Sequence, residues 1–495
     1  MTEPVRLGSF AKLVPLPRSV EPRAALFTLV PETVVVVRSE ARQDAADAVD
    51  LLRSRIGAAS GLALPVRDEA GTAPAISFTA GPERWAPEHY TISVTQAGVD
   101  VVAADHDGFV WAVQTLVQAL PPEALSSTRQ PGTFALPAVV IDDAPRYRWR
   151  AAMLDLARHF FGPDDVKAFV DEVSAYKLNR LHLHLTDDQG WRIEIRSHPE
   201  LTTKGSTSEV GGDKGGYLTQ ADYRGIVDYA RERGVTIVPE VDTPGHTNAA
   251  LHSIPALNCD GDAPPVYTGM KVGFSSLCID KDDTYEWFDD VVGELADMTP
   301  GKWIHLGGDE SHSTPAADYR TFVAKAARIV VDHGKTPIGW EEIGNADLPT
   351  GAVAQHWRDP EPTLAAVRHG ADVILSPSSK VYFDMKYVEG GPGNVWAGLI
   401  PTRTAYDWNP ATLLDGLDAD RVLGVEAPVW TELITDRKTF QERTLPRLPA
   451  LAEVAWSEQK ARSWDGFRQR IGTHAPRWEA AGWAWTRDPG IDWSN

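Results

Sequence analysis

The chain has 495 residues, and its 48 lysines and arginines against 69 aspartates and glutamates give a formal net charge of −21 at pH 7. Nucleic acids are bound by clustered basic side chains, so this charge argues against a nucleic-acid partner and against attachment to a membrane through a basic face. Hydrophobic residues make up 43 % of the chain and charged residues 24 %, which is typical of a folded, soluble protein. The length predicts either two domains or one large and one small domain.

The amino-terminal segment and the cysteines bear on the cellular compartment. Residues 1–20 contain three prolines and no apolar core of about 7–15 residues, so we predict no secretory signal peptide and a cytoplasmic location by default. Cys259 and Cys278 are too few for a structural zinc site and are either free thiols or one disulfide. A disulfide would suit an oxidising compartment, so secretion stays open.

Residues 1–145 predict a small α+β domain. The stretch 126–137 is rich in turn-forming residues and predicts a loop before an extended passage at 139–143. No catalytic set of residues occurs here, and we expect this domain to support the larger one. The other predicted elements are strands at 33–38, 76–79 and 90–94, a hairpin partner at 98–103, a helix at 41–56 ending at Gly57, and a helix at 108–120.

From Trp149 onward, eight apolar runs alternate with helical stretches, which is typical of βα units around a parallel sheet. The count favours a (β/α)8 barrel, a TIM barrel over residues 146–495, above a doubly wound sheet. The Gly211–Gly216 segment has the wrong glycine spacing for a dinucleotide or phosphate loop. Helices are expected after the strands, among them 163–177, 220–233 and 316–333. The runs are 151–157, 180–185, 236–241, 303–306, 336–340, 353–357, 372–375 and 422–427.

Polar and aromatic residues follow every predicted strand, where barrel enzymes place their working groups. Carboxylates beside aromatic walls suit the cleavage of glycosidic bonds, in which an acid protonates the leaving oxygen. Asp309 and Glu310 are adjacent and so cannot easily face each other across one sugar, which suggests one acid and one helper. The residues after the strands are Arg158, Asp187, Asp188, Glu240, Asp242, His246, Asp309, Glu310, Trp340, Trp357, Tyr382, Asp384, Trp430 and Glu432.

The run His305–Glu310 resembles the H-x-G-G-D-E motif of the family 20 glycoside hydrolases, the β-N-acetylhexosaminidases. The resemblance covers essentially the whole chain, including the small amino-terminal domain of the bacterial enzymes. Further motifs match in the same order at 155–160, 183–192, 240–246 and 430–432.

The resemblance implies hydrolysis with retention, assisted by the substrate's own acetamido group, which attacks the anomeric carbon and forms an oxazolinium intermediate. By their places in the motifs, Glu310 would be the general acid and later the base, and Asp309 would hold the acetamido N–H. Tyr382 would bind the acetamido oxygen. The acetamido methyl would lie against Trp340, Trp357 and Trp430.

The remaining implied residues bind the sugar or support the acid. Arg158 and Glu432 would hold hydroxyls of the terminal sugar, because a guanidinium and a carboxylate give directional contacts. Asp188 and His246 would lie near Glu310 and influence its protonation. Three further members of the binding set are Asp187, Asp384 and, stacked on the aglycone, Trp396.

The resemblance therefore implies an exo-acting enzyme that releases terminal β-linked GlcNAc, and GalNAc beside it, from small carbohydrates such as chitin oligosaccharides or glycans. No cofactor is expected. We expect no metal either, because the carboxylates have no histidine pair at ligand spacing. The sequence does not indicate an oligomeric state.

Two alternatives stay open. The first is a retaining glycosidase with an enzymic nucleophile such as Glu240 or Glu432, which would need no acetamido group on its substrate. The second is a barrel that binds sugars without catalysis. The presence of Asp309, Glu310 and Tyr382 argues against the second alternative.

Overall fold

The computed structural model describes residues 5–493, which form two units. The first unit is built on an eight-stranded sheet covered by two helices, α1 (Ala46–Ser60) and α2 (His106–Ala119). Its strands are β1 (Val5–Leu7), β2 (Ser19–Thr28), β3 (Val34–Val37), β4 (Val66–Arg67), β5 (Ala75–Ala80), β6 (Tyr90–Val94), β7 (Gly98–Ala103) and β8 (Thr133–Asp143).

The sheet has the order β1-β8-β6-β7-β5-β3-β4, and β2 also pairs with β8. Strands β6 and β7 form the predicted antiparallel hairpin. Strand β8 includes Pro137, although the sequence predicted a loop as far as this residue. Pro137 pairs with Leu26 where the register of β2 is irregular, between Pro22 and Leu26. A proline has no N–H to donate and is tolerated beside such an irregularity, which explains the longer strand.

Helix α1 continues past the predicted end at Gly57. The helix ends instead at Ser60, where Gly61 adopts the left-handed conformation (φ 70°) and its N–H donates to the Gly57 carbonyl at 2.8 Å. Glycine is the residue best suited to this cap because it has no Cβ. The second of two nearby glycines, and not the first, therefore ends the helix.

The second unit is a closed barrel of parallel strands, in the order β10-β13-β14-β15-β16-β17-β18-β9 around the ring. The eight predicted runs coincide with these strands, and the prediction of a (β/α)8 barrel after a small α+β unit is confirmed. Strands β11 and β12 form a separate antiparallel ribbon. The strands are β9 (Trp149–Asp155), β10 (Arg180–His184), β11 (Thr186–Asp187), β12 (Gly190–Trp191), β13 (Thr236–Glu240), β14 (Trp303–His305), β15 (Thr336–Trp340), β16 (Val353–His356), β17 (Asp372–Leu375) and β18 (Val422–Val429).

Helices surround the barrel and pack their apolar sides against it. Each predicted helix is present, and α5 begins with a capping box in which the Thr219 and Asp222 side chains bond each other's backbone N–H. Among the described helices of residues 5–493, none combines the length and apolar character that crossing a membrane requires. The helices are α3 (Pro163–Ala175), α4 (Glu200–Thr203), α5 (Gln220–Arg231), α6 (Asn248–Ser253), α7 (Asp282–Met298), α8 (Ala316–Asp332), α9 (Pro360–Arg368), α10 (Ser378–Val381), α11 (Thr402–Tyr406), α12 (Arg437–Thr444), α13 (Arg447–Trp456), α14 (Trp464–Ile471) and α15 (Ala475–Ala481).

Buried ion pairs join the two units near the amino-terminal ends of β9 and β10. Arg150 Nη1 lies 3.2 Å from Glu88 Oε1, and Lys177 Nζ lies 3.0 Å from Asp143 Oδ2. Trp456 of α13 donates from Nε1 to Asp143 at 2.9 Å and packs into the core of the first unit. Buried charges are tolerated when they are paired in this way. The first unit thus contacts the barrel away from the carboxyl ends of its strands, and its supporting role stays a prediction.

Candidate active site

A cavity of about 370 Å³ opens at the carboxyl ends of the barrel strands. This volume lies within the range of roughly 300–1,000 Å³ that is usual for small-molecule sites. Four predicted site residues, Asp187, Asp188, His246 and Trp340, lie behind its wall. The nine that line the cavity are Arg158, Asp309, Glu310, Trp357, Tyr382, Asp384, Trp396, Trp430 and Glu432.

A tight turn after β14 presents the adjacent acids. Gly307 and Gly308 both have left-handed backbones, with φ of 73° and 103°. A Cβ on Gly307 would lie 1.8 Å from Asp242 Oδ1, and the Gly308 N–H donates to that same oxygen at 3.0 Å. Only glycine fits a turn that passes so close to a carboxylate. The two glycines of the motif therefore allow Asp242 to fix the turn.

Asp309 and Glu310 have different environments although they are neighbours. Asp309 is 8 % exposed, and its Oδ1 has no hydrogen-bond partner within residues 5–493. Burial and the neighbouring Asp309 raise the pKa of Glu310 above its usual value, against the lowering effects of His246 and Arg158. A carboxyl group with a raised pKa retains its proton closer to neutral pH, as a general acid must.

His246 connects the two acids to a deeper carboxylate. Its Nδ1 lies 3.2 Å from Asp187 Oδ1, and its Nε2 lies 3.7 Å from both Asp309 Oδ2 and Glu310 Oε2. Burial lowers the pKa of His246, but Asp187 and Asp309 raise it more, so that the net pKa is well above 6.5. The raised pKa therefore favours a protonated His246 ring beside Glu310.

Asp187 is a closer partner of His246 than Asp188 is. Asp188 Oδ2 is 4.0 Å from His246 Nδ1, and its Oδ1 accepts hydrogen bonds from Ser275 Oγ at 2.5 Å and the Asn248 N–H at 3.0 Å. Burial, followed by the charge of Asp187, raises the pKa of Asp188. Asp188 therefore bonds to residues behind the site, whereas Asp187 contacts His246 directly.

Arg158 is fixed by two carboxylates and faces the cavity. Its Nη2 lies 2.8 Å from Asp187 Oδ2 and its Nη1 lies 3.3 Å from Asp155 Oδ2, while its Cζ is 4.9 Å from the centre of the Trp430 ring. Within the described chain, Nε of Arg158 and Oε2 of Glu432 have no hydrogen-bond partner. One free donor and one free acceptor at the same end of a cavity are suited to sugar hydroxyls.

Asp384 adds a second acceptor at this end of the cavity. Its Oδ2 accepts a hydrogen bond from Asn394 Nδ2 at 3.1 Å, and its Oδ1 has no partner among residues 5–493. Burial and the charge of Glu432 raise the pKa of Asp384 to about 7. The two carboxyl groups therefore repel each other when both are ionised, and a hydroxyl donor between them would relieve that repulsion.

Aromatic rings form the other walls. The rings of Trp357 and Tyr382 are stacked with centroids 6.3 Å apart, and Trp430 lies 6.3 Å from Tyr382. Trp340 is buried behind Trp430 at 5.8 Å. Trp396 meets Tyr382 edge-on at 5.7 Å and is 55 % exposed, so it stands at the mouth of the cavity. These rings form an aromatic slot with one exposed indole at its entrance.

The glycine-rich segment before Trp396 is tied back to the site. The Asn394 N–H donates to the Asp384 carbonyl at 2.9 Å, and the Lys386 N–H donates to the Asn394 carbonyl at 2.8 Å. These two hydrogen bonds connect the residues before the glycines to the residue after them. Trp396, which follows this glycine-rich segment at 389–393, therefore reaches the cavity.

Glutamate side chains hold the indoles in place. Trp340 Nε1 donates to Glu240 Oε1 at 2.9 Å, and Trp357 Nε1 donates to Glu342 Oε2 at 3.1 Å. Glu240 is fully buried and also contacts the ring of His182 at 2.9 Å. Glu240 does not line the cavity, so the alternative in which it is the nucleophile is wrong. Of the two candidate nucleophiles, only Glu432 lines the cavity.

Four cavity residues were absent from the sequence-based set: Met270, Val272, Arg358 and Asn394. Arg358 directly follows the predicted Trp357, a proximity that could have indicated it. Met270 and Val272 lie in the loop between the two cysteines, far in sequence from any barrel strand. The cysteines form a disulfide, which settles the question that the sequence left open.

Several groups of histidines and carboxylates are close enough to consider as metal ligands. In the described part of the chain, each group has its ligand atoms within 4.8 Å of one another. The group at the cavity contains His246, whose raised pKa favours the imidazolium form, whereas a metal requires the neutral ring. Metal-free chemistry stays a prediction. The groups are His182–Glu240–His305, His184–Glu240–Asp242, Asp187–Asp188–His246 and Asp242–His246–Asp309.

Comparison with known families gives matches over both units. Residues 147–318 and 311–459 match the catalytic domain of glycosyl hydrolase family 20, and residues 11–144 match domain 2 of the same family. The chain belongs to glycosyl hydrolase family 20. It is accordingly a glycoside hydrolase, and its substrate is a small carbohydrate.

Relatives of this family 20 chain are similar along nearly their whole length. A β-N-acetylhexosaminidase of Cellulomonas fimi is 42 % identical over 480 residues, which cover 94 % of each chain. The solved N-acetyl-β-hexosaminidase of Streptomyces plicatus, in complex with Thio-NAglucal, is 45 % identical with a TM-score of 0.95 and covers 98 % of each chain. The GH20 β-N-acetylhexosaminidase of Streptomyces coelicolor A3(2) is 44 % identical, again with a TM-score of 0.95, and the match covers 98 % of this chain and 99 % of that one.

Proposed function

We propose that this family 20 glycoside hydrolase is an exo-acting β-N-acetylhexosaminidase. It removes terminal, non-reducing, β-linked GlcNAc, and GalNAc as a second sugar, with retention of the anomeric configuration. One observation carries the proposal: Asp309 and Glu310 are adjacent at one side of a slot that is closed by Trp357, Tyr382 and Trp430. Adjacent acids suit a reaction whose nucleophile belongs to the substrate. The names of the similar proteins support the same activity.

In the first step, protonated Glu310 donates its proton to the glycosidic oxygen while the bond from that oxygen to the anomeric carbon breaks. The acetamido carbonyl oxygen attacks the anomeric carbon from the opposite side and forms the oxazolinium. Asp309 accepts a hydrogen bond from the acetamido N–H and offsets the positive charge that develops on the ring. Tyr382 donates its O–H to the acetamido oxygen and aligns it for attack.

In the second step, the ionised Glu310 accepts a proton from water as the water attacks the anomeric carbon. The bond between that carbon and the acetamido oxygen breaks, and the free sugar leaves with the β configuration, because two inversions have taken place. The cationic ring of His246 stabilises Glu310 in its ionised form between the steps.

Exo action follows from the closed end of the slot. Arg158, Asp384 and Glu432 stand there with unused hydrogen-bonding atoms, and these would bind hydroxyls of a terminal sugar. Trp396 is the exposed indole at the mouth of the cavity, where the rest of the substrate would lie. A chain with sugars beyond the non-reducing end would meet Arg158 and could not enter.

The test compares p-nitrophenyl N-acetyl-β-glucosaminide and its galacto epimer with p-nitrophenyl β-glucoside, each with and without EDTA. We expect cleavage of the two acetamido substrates alone, unaffected by EDTA, with the β anomer as the first product seen by NMR. Equal cleavage of the glucoside would contradict the proposal and favour a two-carboxylate enzyme with Glu432 as nucleophile. Binding of sugars without any cleavage would favour a non-catalytic barrel.

A further inference from the structure

A second cavity, of about 250 Å³, lies at the amino-terminal end of the barrel, opposite the proposed active site. The first residues of six strands line it, those of β9, β10, β14, β15, β16 and β17. Trp149 and Trp303 supply its aromatic surface. No residue of this cavity belongs to the proposed catalytic set.

The charged lining is basic although the whole chain is acidic. Arg148, Arg180 and Lys302 face a single carboxylate, that of Asp372. This carboxylate is already engaged, because its Oδ2 lies 3.3 Å from Arg148 Nη2 and its Oδ1 lies 3.5 Å from Arg421 Nη1. Within residues 5–493, Arg180 and Lys302 have no carboxylate within 4.0 Å. On a chain of net charge −21, an excess of cations in a concave site is suited to an anion.

Arg180 is held in place but keeps unused donors. Its Cζ lies 5.0 Å from the centre of the Trp303 ring and 5.8 Å from that of Trp149. Its Nη1 donates to the Asn179 carbonyl at 2.6 Å, whereas its buried Nε has no partner among the described residues. Burial lowers the pKa of this guanidinium, so a bound anion would stabilise its charged form. An indole-packed arginine is preorganised for an oxyanion.

We propose that this cavity binds a phosphate group, either as free phosphate or as the ester of a hexose. The volume is slightly below the usual range of about 300–1,000 Å³ for drug-sized ligands and therefore suits a small one. Arg180 and Lys302 match the two charges of a phosphate. The hydroxyl of Thr336 adds a donor to the lining, and the partly exposed side chain of Trp303 offers an apolar contact for the sugar of an ester.

The experiment measures the melting temperature and the calorimetric affinity of the full chain with inorganic phosphate and with glucose 6-phosphate, at constant ionic strength set by sodium chloride. We expect saturable binding and a rise in melting temperature, because a ligand of the folded state stabilises it. Arg180→Met should weaken binding at least about tenfold, the scale of a charged hydrogen bond. If the ester binds more tightly than free phosphate, its sugar contacts the indole of Trp303. If the two affinities are equal, the cavity binds only the phosphate group.

Two further variants keep the result interpretable. Lys302→Met removes an exposed cation without an ion pair and should also weaken binding, even if Arg180→Met fails to fold. Arg328→Met, on α8, removes an arginine that is 71 % exposed and should bind as the wild type does. Saturable binding of neither ligand, or unchanged affinity in both cavity variants, would overturn the proposal. Hydrolysis of p-nitrophenyl N-acetyl-β-glucosaminide by Lys302→Met separates this outcome from a failure of the proposed function.

Discussion

His246 Nε2 lies 3.7 Å from Glu310 Oε2, and both residues have left-handed backbones, with φ of 55° and 45°. They are two of the five non-glycine residues with positive φ within residues 5–493. Such conformations cost free energy and persist where the surrounding structure imposes them. The strain here brings a buried cation beside the proposed general acid. Burial and Asp309 raise the pKa of Glu310 while His246 lowers it, so the pair sets the pH range of the acid.

The first prediction concerns the replacement His246→Gln, which removes this positive charge and retains a polar side chain. The pKa of Glu310 should rise, because one of its lowering influences is lost. Glu310 would then stay protonated to higher pH, and the alkaline limb of the profile of kcat/KM against pH should shift to higher pH. The measurement is that profile with p-nitrophenyl N-acetyl-β-glucosaminide, since kcat/KM reports groups of the free enzyme.

A purely structural role for His246 would give a different result: lower rates at every pH with an unmoved alkaline limb. The matched control is His333→Gln, at the end of α8. Its ring lies 2.9 Å from Asp289, and it precedes the amino-terminal end of β15, at the end of the barrel opposite the site. This variant should keep the wild-type profile.

The second prediction is that Glu310→Gln lowers kcat most for substrates whose leaving group must be protonated. General acid catalysis contributes roughly 10²–10⁴-fold, so a disaccharide should lose about that factor. A dinitrophenyl leaving group needs little protonation, and its first step should be nearly unaffected. Steady-state and burst kinetics on the two substrates make the measurement. Equal losses in the first step on both substrates would show that Glu310 is not the acid.

The third prediction separates Asp309 from its neighbour. Asp309→Asn keeps the shape but removes the charge that would offset the oxazolinium, so kcat should fall by about 10²–10³-fold. The loss should be similar for the disaccharide and the dinitrophenyl substrate, because it concerns the nucleophile and not the leaving group. Circular dichroism and melting temperature check that the variant folds. A loss confined to poor leaving groups would contradict this role.

Much of the barrel could be predicted because its strands are apolar runs that are buried on both faces. Their ends then identified the candidate residues without any knowledge of side-chain packing. The prediction failed where contacts decide the structure, as for Pro137, whose place in β8 depends on an irregular partner strand. Glu240 resembled a candidate nucleophile in sequence, and only its hydrogen bond to Trp340 shows it to be a support.

The same limit applies to the loops of the site. Met270 and Val272 reach the cavity from a segment with no strand or helix, and no periodic pattern marks such residues. The contact between Asp187 and His246 also depends on how the β11–β12 ribbon packs against the loop after β13. The position of residues directly after the strands predicted which strand ends form the site, whereas tertiary contacts decide which side chains contact each other there.

The fourth prediction concerns the pH dependence of stability. Glu172 of α3 is buried against Gln441 and Thr444, and burial raises its pKa to about 8. Because the folded pKa is above the unfolded value of about 4.3, its stabilising contribution is complete below about pH 4 and is lost as the pH rises toward 8, by up to about 1.4 kcal/mol per pH unit. Glu172→Gln should therefore show a flatter dependence of the unfolding free energy on pH.

The measurement is urea unfolding of the wild type and Glu172→Gln at several pH values between 5 and 9, since the difference between the two curves isolates this one group. Glu479→Gln, an exposed position on α15, serves as the control and should follow the wild-type curve. Parallel curves for the wild type and Glu172→Gln would mean that Glu172 is ionised in the folded state.

The fifth prediction concerns the disulfide between Cys259 and Cys278, whose loop carries Met270 and Val272 to the cavity wall. Closing a loop of this length stabilises a fold by about 3 kcal/mol in the chain-entropy account, so replacing both cysteines with serine should lower the melting temperature. The loop would also become more mobile, and the loss of two apolar contacts should raise KM for an oligosaccharide more than KM for the p-nitrophenyl substrate. A reducing agent should reproduce both effects in the wild type and leave the double variant unchanged. If the variant kept the wild-type KM for the oligosaccharide, the loop would cover the site without contacting the substrate.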